Sequence, residues 1–161
     1  MKLDAGERMA WPSQPFSAER SDLLANMDGL AFELGITTET PGATLRYTTD
    51  GSVPTADSGQ VLEGGSLRME KTTVLRVAGF KPGFKPTKVV TRTYLFPKDI
   101  VRQSPDGLPP TGFPYDWGFN FVDYGMDQRV VNDKRYKDRI FDGLRSLPSY
   151  SLVMEMDDLF D

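Results

Sequence analysis

The side chains that carry most enzyme chemistry are missing from this sequence. Its 161 residues include no cysteine and no histidine. Thiol nucleophiles, Cys/His zinc sites, disulfide staples and a Ser-His-Asp triad are therefore excluded. What remains is carboxylates, Lys, Tyr, Ser and Thr, or a hard cation held by oxygen. The densest such run is D-G-S-V-P-T-A-D, residues 50 to 57, where Asp50, Ser52 and Asp57 offer oxygens. A calcium loop needs about six oxygens or more on a regular spacing, and this run has too few. Turn chemistry explains it better. The Asp50 side chain can accept from backbone amides two residues on, Gly51 tolerates positive φ, and Pro54-Thr55 closes the corner.

A second set of carboxylates, Glu155, Asp157, Asp158 and Asp161, sits near the C-terminus. It raises a carboxylate-only glycoside hydrolase, which needs two acids flanking a cleft, one with its pKa raised by burial. An acidic run of this kind is more often a solvated surface. Asp50 and Asp57 are no better, since nothing marks a second acid across a pocket. Lys-Pro-Gly-Phe-Lys-Pro at 81 to 86 lacks the glycine spacing of a phosphate loop, and Gly64-Gly65-Ser66 is too short. The expectation is a chain with no catalytic residues, no cofactor and no metal.

Aromatic residues form the third constellation: Phe113, Tyr115, Trp117, Phe119, Phe121 and Tyr124. Exposed Trp and Tyr stack on the apolar faces of sugar rings, so Trp117, Tyr115, Phe113 and Tyr124 are the candidate carbohydrate-binding residues. The competing role is structural. Aromatics bury large areas, and a long segment without secondary structure needs anchors. Anchoring of Phe113, Trp117, Phe119 and Phe121 onto the rest of the fold is the expectation.

The elements that would position these residues can be read from periodicity. Residues 1 to 13 are polar and irregular and read as a disordered leader. From 14 to 97 the chain breaks into short runs between Gly, Pro, Asp and Ser clusters. Leu30 to Thr37 places Leu30, Phe32, Leu34 and Ile36 on one face, and Thr44 to Thr49 places Leu45 and Tyr47 on one face. Gln60 to Leu62, Ser66 to Met69, Thr72 to Phe80 and Lys88 to Phe96 continue the pattern. Short strands at this spacing, with no helical period between them, predict an antiparallel β-sandwich of about seven strands, immunoglobulin- or fibronectin-like. Five prolines between Pro97 and Pro114 argue against regular structure, so 98 to 132 reads as an extended linker. Residues 133 to 147 predict one amphipathic helix, capped by Asn132-Asp133 and stopped by Pro148, with Tyr136, Ile140, Phe141, Leu144 and Leu147 on one face. Such a helix is marginal alone and needs a partner. Ser149 to Met156 has strand character, and 133 to 161 reads as the start of a following module.

Composition narrows the partners. A net charge of −4 argues against nucleic acid, which needs a concentrated basic face. No apolar run approaches the roughly 18 residues of a membrane span. The opening MKLDAGERMAWPSQPF lacks the apolar core of a signal peptide.

The run ITTETPGATLRYTTDGSVPT followed by TTVLRVAGFKPGFKPTKVVTRTYLF resembles the chitobiase/β-hexosaminidase C-terminal type of domain, also described as fibronectin-type-III-associated. The signature Tyr-Thr-x-Asp-Gly-Ser-x-Pro-Thr falls within Ala43 to Thr55, and Thr-Thr-x-Leu-Arg with Phe-Lys-Pro-Gly-Phe falls on Thr72 to Phe84. Residues 98 to 161 resemble the segment that follows such a domain in large bacterial proteins and leads into a CotH kinase-like domain. None of that kinase's nucleotide-binding or catalytic elements is in this sequence. The resemblance implies a non-catalytic accessory or spacer module of a larger, exported bacterial protein. Its partners would be the neighbouring domains of that protein, with polysaccharide as a second partner, at an extracellular or cell-surface location.

Overall fold

The computed structural model describes residues 31–154 and residue 158. The expected leader, the beginning of the first strand at Leu30, and Glu155, Asp157 and Asp161 lie outside the described residues.

Six strands build an antiparallel β-sandwich of the immunoglobulin-like kind. One layer pairs β1 (Phe32–Gly35) with β4 (Ser66–Met69). The other has the order β3-β2-β5-β6, with β2 at Thr44–Thr48, β3 at Gln60–Val61, β5 at Thr73–Phe80 and β6 at Val90–Tyr94. Period-two alternation sorts the side chains between faces. Opposed pairs Phe32–Met69 and Leu34–Leu67 face inward, while Glu33 and Arg68 form an exposed ion pair of 3.7 Å on the back. Leu45, Leu75, Val77 and Tyr94 meet them from the larger sheet, and Ile36, Met69 and Phe96 complete the core. The ring of Phe32 contacts both Tyr94 and Phe96, at 5.6 and 6.4 Å between centroids. Of the roughly seven strands expected for the sandwich, six lie among the described residues.

That loop answers what the D-G-S-V-P-T run does. It returns across the outer face of β2 and β5, where Asp50 bridges to Val74. The Arg76 guanidinium donates to the Gly51 carbonyl at 2.6 Å, and the Thr48 hydroxyl donates to the Ser52 carbonyl. Pro54 is buried beneath it. At Gly59 the loop re-enters the sheet with φ +85°, where a Cβ would stand 2.9 Å from the Tyr47 carbonyl oxygen. Only glycine accepts both conditions.

Beyond Phe96 the structure departs from the expectation of an extended linker. Pro97 opens a one-turn helix, α1 (Pro97–Ile100); the first helical position is where proline is tolerated, because its missing N–H has no partner to lose. The Asp99 carboxylate accepts from the Thr72 amide at 2.6 Å, and Phe96 N–H donates to the Thr72 hydroxyl at 2.9 Å. These bonds, with buried Pro97 and Val101, fasten the segment to the sandwich. Residues 116–121 form a hairpin of β7 (Asp116–Trp117) and β8 (Asn120–Phe121).

Only the second half of the single helix expected over 133 to 147 forms, and a separate short helix stands before it. Helix α2 (Gln128–Val131) precedes Asn132, and α3 spans Ile140–Ser146. Asp133 does begin a turn: its carbonyl accepts from the Tyr136 and Lys137 amides. Its carboxylate, however, is engaged by the Arg135 backbone and guanidinium. Residues 137–139 are Lys, Asp and Arg, so nothing apolar packs that turn and the continuous helix fails. Residues 149–154 carry no strand; the Ser151 and Thr93 hydroxyls share a hydrogen bond at the β6 edge.

Candidate functional site

The aromatic constellation is where the structure differs most from expectation. Phe113, Trp117, Phe119 and Phe121 do not anchor the chain to the sandwich. Trp117 is 63% exposed, Tyr115 65% and Phe121 92%, while Phe119 is fully exposed. Aromatic anchoring is replaced by the Asp99–Thr72 bond and by α1, described above.

The hairpin that carries these rings follows from its turn. In W-G-F-N, Gly118 has φ +66° and Phe119 does not enter the positive region. This is the Gly-first two-residue loop that matches the twist of antiparallel strands. The register sets Trp117 opposite Asn120 and Asp116 opposite Phe121. Directly opposed residues share a face, and alternate residues along a strand do too. Tyr115 and Trp117 therefore stand on one side with the Asn120 amide, and Phe121 stands on the other with Asp116. The Val122 amide donates to the Tyr115 carbonyl at 3.1 Å and extends the pairing by a step.

The four predicted residues thus divide into two pairs. Tyr115 and Trp117 form an exposed aromatic face. Phe113 and Tyr124 form its base, with rings 5.7 Å apart in an edge-to-face arrangement. The Tyr124 hydroxyl donates to the Pro114 carbonyl at 2.8 Å, its amide donates to Gly107, and its carbonyl accepts from Gln103. These bonds fix where the hairpin leaves the body of the molecule. The signal missed in the sequence was W-G-F-N itself, a Gly-X loop flanked by aromatics. The prolines that precede it mask the signal.

Three of the described carboxylates are perturbed, all toward the ionised form. The Asp50 carboxyl is held below the ordinary carboxylate range, chiefly by the Ser52 hydroxyl and then by the Ser52 amide, at 2.6 and 3.0 Å. Asp127 and Asp133 are lowered too, chiefly by hydrogen bonds from the Arg129 and Arg135 side chains. All three shifts favour the ionised form, the opposite of what a general acid needs. Asp57 lies in a turn held by the Thr55 hydroxyl, and Asp158 is exposed. No three of the described acids cluster closely enough to hold a metal ion. No helix among the described residues is long and apolar enough to cross a membrane.

Two depressions lie on the surface of the described residues. One is an apolar groove of about 620 Å³ along α3, lined by Met126, Val130, Tyr136, Ile140 and Leu144, with Asp142 as its one carboxylate. The other is a cleft of about 380 Å³ between β2 and the Lys81–Pro86 turn.

Residues 31–91 match the model of the chitobiase/beta-hexosaminidase C-terminal domain. The match covers the sandwich from β1 into β6 and stops before α1, the hairpin and the groove. No curated protein and no solved structure matches the chain. The sandwich is therefore similar to an accessory domain of glycan-processing enzymes, while the aromatic hairpin lies outside the matched segment.

Proposed function

We propose that this chain is a non-catalytic accessory module that holds a polysaccharide against its aromatic hairpin, beside a catalytic neighbour in a larger, exported bacterial protein. The observation that carries the reading is the shared exposed face of Tyr115 and Trp117. Two large rings with apolar faces and polar edges, left open to water on a backbone-paired hairpin, match the apolar face of a sugar ring. Asn120 beside them supplies amide donors and acceptors for ring hydroxyls. Accessory rather than catalytic work is supported by the carboxylates, whose shifts run against acid catalysis, and by the similarity of residues 31–91 to an accessory domain. A CotH kinase-like neighbour is the reading suggested by the resemblance of residues 98 to 161.

The test is retention of the purified chain on insoluble and soluble neutral polysaccharides, chitin included. We expect saturable retention, quenching or shift of Trp fluorescence on binding, and loss of retention in Trp117→Ala. Retention by none of them, up to about the millimolar range of weak binding, would overturn the glycan reading and leave a spacer module.

A further inference from the structure

The cleft between β2 and the Lys81–Pro86 turn holds two cations that no carboxylate among the described residues compensates. Arg46 lies on the outer face of β2, opposite Ala78, and Thr44 beside it lies opposite Phe80. Arg46 and Lys81 are the only charged side chains lining the cleft, with Phe80, Pro82, Phe84 and Pro86 as its apolar floor. Both cations are half-buried. Each is positioned by backbone oxygen: the Arg46 guanidinium donates to the Gly59 carbonyl at 2.9 Å and Lys81 Nζ donates to the Pro41 carbonyl at 2.8 Å. Lys81 also stands 4.7 Å over the Phe84 ring. Neither forms an ion pair among the described residues, although the chain as a whole is acidic. A carbonyl orients a guanidinium or ammonium without neutralising it. The four remaining N–H donors of Arg46 and the two of Lys81 are therefore left for a ligand.

We propose that this cleft binds an anionic group carried on a sugar ring, a carboxylate or a sulfate. The two cations would take the anion, the guanidinium in its bidentate fork. The ring and proline floor would take the apolar face of the sugar. Its volume lies within the range of small-ligand sites. The Gly59 carbonyl that positions Arg46 lies at a residue whose φ of +85° favours glycine. This site stands on the sandwich, independently of the hairpin and of its neutral glycan.

The experiment is affinity electrophoresis of the full chain through gels containing polygalacturonate, dextran sulfate or neutral dextran. We expect retardation by a charged polymer well beyond any retardation by dextran; polygalacturonate alone would identify the anion as a carboxylate, dextran sulfate alone as a sulfate. Arg46→Gln and Lys81→Gln should each weaken binding at least about ten-fold, the loss of one charge-assisted contact. Lys88→Gln, an exposed cation outside the cleft, should change it less than about two-fold. Arg46→Gln and Lys81→Gln should keep wild-type retention on neutral polysaccharide, which separates this site from the hairpin. Circular dichroism confirms that each variant is folded. Retardation by neither charged polymer, or equal retardation of wild type, Arg46→Gln and Lys81→Gln, or an equal loss in Lys88→Gln, would overturn the proposal.

Discussion

Strand β5 and the β7–β8 hairpin are both alternating, backbone-paired and rich in large side chains, yet they end in opposite environments. β5 pairs with β2 on one side and β6 on the other. Its inward residues Leu75 and Val77 meet the β1–β4 layer, and its outward Ala78 is buried as well. The hairpin strands pair only with each other, and all four of their residues are exposed. The difference is not hydrophobicity, since Trp117 and Phe121 would gain more from burial than Val77 does. It is the presence of an opposing layer. A face becomes core only when another element arrives to cover it, and an aromatic face without one is available for a ligand.

The comparison can be broken most severely at the sandwich. Leu75→Ala empties a site with no exposure and should cost about 2–5 kcal/mol, read from the midpoint of urea unfolding. A loss below about 1 kcal/mol would mean the two layers are not packed as described. Next is Gly59→Ala, which combines positive φ with the 2.9 Å approach to the Tyr47 carbonyl. It should cost about 1–3 kcal/mol and loosen the loop over β2 and β5, visible as faster amide exchange at Thr48 and Arg76.

Asp50→Ala tests the loop more gently. The folded-state pKa of Asp50 lies below its unfolded value, so its contribution is present above the ordinary carboxylate pKa and fades as pH falls through the folded value. The group is exposed and screened, which holds the contribution under about 1 kcal/mol. Wild type should exceed Asp50→Ala in stability at pH 7, and the gap should narrow as pH falls below the ordinary carboxylate pKa. A gap that persists at low pH would assign the effect to packing rather than to the ionised carboxylate. The smallest effect is expected where binding should suffer most: Trp117→Ala should shift stability by no more than about 0.5 kcal/mol while abolishing retention on neutral glycan. A large loss of stability there would return Trp117 to the role of an anchor.

Much of the fold was legible in advance because its period is local. Ser66–Met69 forms over the expected residues, and Thr73–Phe80 begins one residue later than expected. The inward sets Leu34, Leu45 and Leu75 follow from alternation alone. The turn role of Asp50-Gly51 was legible too, because an Asp side chain accepting two residues on is a property of the sequence neighbourhood. The helix over 133 to 147 was overread. Its apolar positions were spaced correctly, but the polar turn at 137–139 had no surface to hold it. The hairpin is less legible, since the prolines that precede it conceal a two-residue turn that needs only Gly118.

By itself the sequence determined which side chains share a face, where the chain turns, and which chemistries the absence of cysteine and histidine removes. Those follow from backbone geometry and composition over a few residues. Only the tertiary structure decided that Asp99 rather than the aromatics fastens the extension, that Tyr115 and Trp117 face water, and that Arg46 and Lys81 line one cleft. Each depends on which distant segment covers a face, and residues 27 positions apart, as Thr72 and Asp99 are, leave no local pattern to announce it.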